Sequence, residues 1–254
     1  MSHFPTLVRA GEPGAPSVVF LPYFGGSART FTALWPLLPS SWNLRAYTPA
    51  NIGIGEDGTY SLDIAFEQLA RTLKRHVSGP LHLVGHSMCG KIALGAASLG
   101  LEGLQSIILL APSPPSPEPM DEKERQRMLQ THGTREAALE TVRGASKRTL
   151  APELLEIAVE DNLATNERDW NNWLQLGSRD DRTNILQNLR APVKIIVGQG
   201  DESMTPDLMT RTLIDPLVAL GQPEPPLQAI EGAGHLLPLE APSEVANWLE
   251  KWIR

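Results

Sequence analysis

The stretch from Leu81 to Ala97 constrains this chain more than any other. Leu81-His82-Leu83-Val84 is an apolar run of strand length, Lys91-Ile92-Ala93-Leu94-Gly95-Ala96-Ala97 is helix-forming, and only Gly85-His86-Ser87-Met88-Cys89-Gly90 joins them. A serine therefore sits at a strand-to-helix turn. Such a turn lifts the hydroxyl off the sheet edge on a strained backbone, at the positive end of the next helix, where an attacking oxygen and a developing oxyanion are both favoured. The sequence is close to the elbow pattern G-x-S-x-G, with Cys89 in place of the second glycine and Gly90 one position later. Glycine suits that place because strand and helix approach closely, so the Cys89 side chain has to find room. A small buried apolar role fits it, and a thiol activated by the helix N-terminus is the alternative.

Short apolar runs alternate with longer helical patterns along most of the chain. This predicts an α/β layout, a mostly parallel sheet covered by helices on both faces. The expected strands are 17–21, 44–47, 81–84, 106–110, 193–197 and 227–230. Leu62, Ala65, Phe66, Leu69 and Leu73 recur at helical spacing behind Ser61, an N-cap residue with Asp63 in the first turn. Val245, Trp248, Leu249 and Trp252 mark a closing amphipathic helix. Residues 112–190 interrupt the alternation, opening on Pro112-Ser113-Pro114-Pro115-Ser116-Pro117 and continuing through charged helical stretches. They are expected to form a helical lid inserted in a core domain made of 1–111 and 191–254. Within the lid, Met120, Met128, Trp170, Trp173 and Leu176 either roof a substrate pocket above Ser87 or only pack the lid onto the core.

The formal net charge is −7 and no long Lys/Arg cluster is present, so the electrostatic footprint of nucleic-acid binding is missing. No run approaches the length of a membrane span, and the first ten residues lack a basic stretch followed by an apolar run. A cytoplasmic protein with no membrane insertion is expected. The single cysteine excludes an internal disulfide and a multi-cysteine metal site. His76, His82, His86 and His132 show no metal spacing, and Gly53-Ile54-Gly55-Glu56-Asp57-Gly58 does not open a helix as a dinucleotide loop does. No metal and no cofactor are expected.

A serine hydroxyl is a weak nucleophile unless a base takes its proton. Two later turns offer the partners. Val193-Lys194-Ile195-Ile196-Val197 leads into Gly198-Gln199-Gly200-Asp201, which puts a carboxylate at the carboxyl end of a strand. Leu227-Gln228-Ala229-Ile230 leads into Glu231-Gly232-Ala233-Gly234-His235. His235 is the candidate base, and Asp201 the group that fixes its tautomer and stabilises the imidazolium. Glu202 is an alternative acid, read here as a solvated turn residue. Pro22-Tyr23-Phe24-Gly25-Gly26-Ser27 follows the first expected strand and can aim backbone N–H groups into the cavity. Phe24 and Met88 are the expected oxyanion donors, and Tyr23 is a candidate substrate contact.

The chain order Ser, Asp, His, each in a turn after a strand, resembles that of the α/β-hydrolase superfamily. Gly85-His86-Ser87-Met88, Val197-Gly198-Gln199-Gly200-Asp201 and Gly232-Ala233-Gly234-His235 with Leu239-Glu240-Ala241-Pro242 resemble its lidded esterases and lactonases. The Pro22–Gly26 loop resembles instead the oxyanion loop of editing thioesterases that serve polyketide and peptide synthases. The resemblance implies a serine hydrolase that acts on a small-molecule acyl substrate through an acyl-enzyme. An oxygen ester or lactone is favoured over a thioester, which would bring an acyl carrier protein in as partner. Ligand sensing, or a non-hydrolytic reaction reusing the same three residues, remains open on this fold.

Overall fold

Strands covered on both faces need apolar residues on both sides, and the middle of this sheet has them. The computed structural model describes residues 6–253; the reading of the N-terminus as free of a leader rests partly on residues 1–5, outside the described residues. The strands are β1 (Thr6–Arg9), β2 (Ser17–Leu21), β3 (Asn43–Ala46), β4 (Leu81–His86), β5 (Leu104–Leu110), β6 (Val193–Gly198) and β7 (Leu227–Ile230). They form one sheet in the order β1-β3-β2-β4-β5-β6-β7. β1 pairs antiparallel with β3, and the other neighbours are parallel. Every residue of β2 and β4 is buried.

The helices are α1 (Leu62–His76), α2 (Met88–Ser98), α3 (Glu122–Thr131), α4 (Arg135–Ala145), α5 (Pro152–Ala164), α6 (Glu167–Asn172), α7 (Pro206–Met209), α8 (Asp215–Ala219), α9 (Leu237–Glu240) and α10 (Pro242–Trp252). Ser61 caps α1, its Oγ accepting from the Asp63 N–H at 3.1 Å. The apolar stripe of α1 is buried at Leu62, Ala65, Phe66, Leu69, Ala70 and Leu73. Burying one such large side chain stabilises the fold by about 1.5–3 kcal/mol. Gly95 lets α1 and α2 meet, since a Cβ there would lie 2.2 Å from the Phe66 ring. That contact offsets the roughly 1 kcal/mol a glycine costs inside a helix.

Six strands are expected from the sequence, and β1 is the seventh. It escapes the pattern because it is a four-residue edge strand with no buried residue and so carries no apolar run. Pairing with β3 holds it, and the Arg9 guanidinium donates to the carbonyls of Trp35 and Leu38 at 3.3 and 3.1 Å. Among the described residues no helix is long and apolar enough to cross a membrane.

Two histidines of β4 make the fold acid-sensitive. Burial first, then the charge of Lys194, pushes His82 down to about 4. Burial first, then the charge of His235, pushes His86 down to about 3. The unfolded chain takes up protons near pH 6.5 that the folded chain refuses until those lower values, so stability is lost as pH falls through that window. At pH 5 the loss is on the order of 2 kcal/mol per histidine. The melting temperature should therefore drop several degrees between pH 7 and pH 5. A flat profile over that range would contradict the neutral, buried state of both rings.

Candidate active site

β4 ends at His86, and the chain turns into α2 through Ser87, whose backbone has φ 52° and ψ −123°. A non-glycine residue in that region costs on the order of 1–3 kcal/mol and persists only where the surroundings hold it. Here they do. The Ser87 N–H donates to the Leu110 carbonyl at 2.9 Å, and the Ser87 carbonyl accepts from Gly90 at 2.8 Å and Ser113 at 2.9 Å. The close approach falls on Gly85 and Gly90, not on position 89. A Cβ at Gly90 would lie 2.6 Å from the Pro112 side chain, and one at Gly85 would lie 2.8 Å from the Cys89 carbonyl. The Cys89 side chain thus has room in the core at 1% exposure, where burial pushes its thiol far above the ordinary range.

The turns after β6 and β7 are brought together by glycines. A Cβ at Gly198 would meet the Gly234 carbonyl at 2.1 Å, and the Gly200 N–H donates to Ala233 at 2.8 Å. Asp201 and His235 meet across this contact. His235 Nδ1 lies 2.6 Å from Asp201 Oδ2, and His235 Nε2 lies 2.8 Å from Ser87 Oγ. Asp201 Oδ1 accepts from the N–H groups of Ser203 and Met204 at 2.8 and 3.0 Å. Burial alone would raise this carboxyl, but the charge and hydrogen bond of His235, with those two amides, hold it below the usual carboxylate range. Burial likewise works to lower His235, yet the charge and hydrogen bond of Asp201, helped by Glu118 and Glu240, leave it above its ordinary value. Glu202 points outward and pairs with Lys147 at 2.6 Å, its side chain 84% exposed.

The histidine loop has an anchor that its sequence barely advertises. Glu240 is 8% exposed, and its carboxylate accepts from the N–H groups of Gly234 and Leu236, both at 2.9 Å. It also accepts from Lys147 and Arg148 at 2.7 and 2.9 Å, between α4 and α5. The one signal was an acid closing the apolar Leu236-Leu237-Pro238-Leu239 run. His86 supports the same loop from below. Its Nε2 must carry the proton, because it meets the His235 carbonyl at 2.8 Å.

Phe24 and Met88 both line a cleft, together with Gly25, Tyr60, Asp169 and Trp173. Neither the Phe24 nor the Met88 backbone N–H donates to another described residue, so each is open to a further acceptor. The Phe24 loop is tied to α5. Asp161, 7% exposed, accepts from Ser27 Oγ at 2.7 Å and from Arg29 Nε and Nη2 at 2.9 and 2.6 Å.

The other expected contacts pack behind this surface. Trp170 is 2% exposed, lies 4.3 Å from the Phe24 ring and stacks on His132 at 4.2 Å; its Nε1 donates to the Met128 carbonyl. Met120 and Met128 join the same apolar cluster. Tyr23 turns away into a cluster with Val142, Val159 and Leu239, its ring 5.3 Å from that of His86. Of the expected substrate contacts, Trp173 lines the cleft, while Tyr23, Trp170, Met120 and Met128 do not. Of the two roles open to the lid residues, Trp170, Met128 and the partly buried Met120 take the packing one. Lys91 and Glu118 were not expected at all. Lys91 is fully buried and donates to the carbonyls of Ser116, Gly177 and Asp180 at 3.1, 3.4 and 2.6 Å, fastening α2 to the segment above it.

Over 117 residues the chain is 28% identical to the 2-succinyl-6-hydroxy-2,4-cyclohexadiene-1-carboxylate synthase of Shigella sonnei. That match spans 46% of each chain, so it reaches about half the length of these curated relatives. Solved structures follow the whole fold at lower identity. The bromoperoxidase of Bacillus anthracis matches with a TM-score of 0.78 at 16% identity, over 96% of this chain and 92% of that one. MenH of S. aureus matches with a TM-score of 0.73 at 19% identity, over 99% and 98%. At such identities the likeness establishes the fold alone. A model described as the alpha/beta hydrolase family fits residues 18–248, from the first parallel strand through the serine turn and both partner loops to the closing helix, and the chain belongs to that family.

Proposed function

We propose that this chain is a serine hydrolase that cleaves a small carboxylic ester or lactone through an acyl-enzyme. The observation that carries the reading is the unbroken line from Ser87 Oγ through His235 to Asp201, at 2.8 and 2.6 Å. Ser87 Oγ attacks the carbonyl carbon while its proton passes to His235 Nε2, and Asp201 stabilises the imidazolium formed. The carbonyl oxygen, now negative, is received by the Phe24 and Met88 N–H groups, a contribution of ~3 kcal/mol or more to the transition state. His235 then returns the proton to the departing alcohol oxygen, and water repeats the sequence to release the acid. The 112–190 segment acts as the lid that shapes the acyl and alcohol pockets.

A fluorophosphonate probe should label the wild type stoichiometrically, and Ser87→Ala should not label while keeping its circular dichroism spectrum. Labelling that persists in Ser87→Ala would overturn the assignment. The curated synthases favour a second reading, a non-hydrolytic reaction using the same three residues. The line from Ser87 through His235 to Asp201 is by itself enough for acyl transfer to water, and hydrolysis is therefore the first reading.

A further inference from the structure

We propose that the cleft beside Ser87 selects a substrate whose alcohol or acyl group carries a positively charged amine or quaternary ammonium. This rests on the hydrolase reading above and names the substrate class for that site. Three aromatic rings, Phe24, Tyr60 and Trp173, line the cleft with one carboxylate, Asp169. The Phe24 and Trp173 ring centroids are 6.4 Å apart. Glycines bring the third ring in. A Cβ at Gly177 would lie 2.3 Å from the Tyr60 hydroxyl and 2.6 Å from the Trp173 ring, and one at Gly53 would lie 2.7 Å from the Tyr60 ring. Aromatic faces attract cations through their quadrupoles, and the attraction strengthens where water is excluded.

Asp169 is half-satisfied. Its Oδ2 accepts from the Asn51 N–H and from Asn166 Nδ2, both at 2.7 Å. Its Oδ1 is buried and has no hydrogen-bond partner. An ionised oxygen left unpaired in a buried place is costly. The neighbouring Arg168 does not neutralise it, because that guanidinium turns to Asn51 Oδ1. The negative field reaches the rings as well. Burial first, then the charges of Asp180 and Asp169, pushes the Tyr60 hydroxyl far above its ordinary value, with Arg182 acting against them. An ammonium group seated among the three rings would complete the Asp169 shell, and the chain's net charge of −7 favours its approach.

The test compares two esters of one acyl group, a trimethylammonioethyl ester and its neutral 3,3-dimethylbutyl isostere. The wild type should prefer the cationic ester in kcat/KM by about tenfold or more, after correction for the uncatalysed rates. Asp169→Asn and Trp173→Leu should each reduce that ratio severalfold. Equal turnover of the two esters by the wild type, or a ratio that neither substitution lowers, would overturn the cation site alone. Tetramethylammonium binding, followed by tryptophan fluorescence on Ser87→Ala, separates the two levels. Saturable binding with no turnover of either ester would support the cation site and sink the hydrolase reading. Absent binding together with turnover of the neutral ester would do the reverse.

Discussion

His235→Ala is expected to lower kcat by about six orders of magnitude, the cost seen when a member of such a unit is removed outright. The expectation follows from its position between Ser87 Oγ and Asp201 Oδ2. No other described base stands within hydrogen-bond reach of the serine hydroxyl. The His86 ring lies 5.4 Å from that of His235 between centroids, but its Nε2 is committed to the His235 carbonyl and burial keeps it neutral down to about pH 3. It cannot take over. Adding Ser87→Ala to His235→Ala should cost almost nothing more, since the two act as a unit. The measurement is kcat for the single and double variants. A double variant much slower than either single one would mean that the residues act separately.

Asp201→Asn is the second large effect, about four orders of magnitude in kcat with the fold intact. The amide keeps the shape but offers Nδ2–H where His235 needs an acceptor, so the imidazole turns to the wrong tautomer. The pH profile gives the sign. His235 must be neutral to accept a proton, and Asp201 holds its titration above the ordinary 6.5. In the wild type kcat/KM should therefore rise with pH through an apparent value above 6.5. Removing the carboxylate charge should move that limb to lower pH. A limb that stays in place in Asp201→Asn would show that another group titrates, and a near-normal rate there with a dead Glu202→Gln would reassign the acid.

The parts of this site that could be read from the sequence are those written in consecutive residues. Ser87, Asp201 and His235 each follow an apolar strand run within five residues, so strand, turn and side chain appear together. The structure brings all three side chains into contact. Asp161 and Glu240 could not be found that way. Their partners lie 132 residues away at Arg29 and 93 away at Lys147, and a charge gives no local sign of the amide or guanidinium it will meet. β1 was invisible for the opposite reason, since an edge strand needs a partner more than a pattern. Cys89 shows a third case. The elbow motif names a glycine at that place, but the steric demand falls on Gly90 against Pro112, one residue along. Periodicity reports which residues are buried; the facing of Trp173 into the cleft and of Trp170 behind it depends on which helix turn meets the sheet.

The ties of Asp161 to the Phe24 loop and of Glu240 to residues 147 and 148 also limit how such a chain can diversify. A helical segment exchanged wholesale for that of a distant cousin would strip Ser27 and Arg29 of their acceptor. It would also leave the Glu240 carboxylate short of two of its four amides. The segment is not a cartridge that can be swapped to change taste. New specificities on this scaffold are expected to come from single replacements on the cleft wall, at Tyr60, Asp169 or Trp173, or from grafts that carry residues 27–29 and 234–240 along as inherited baggage.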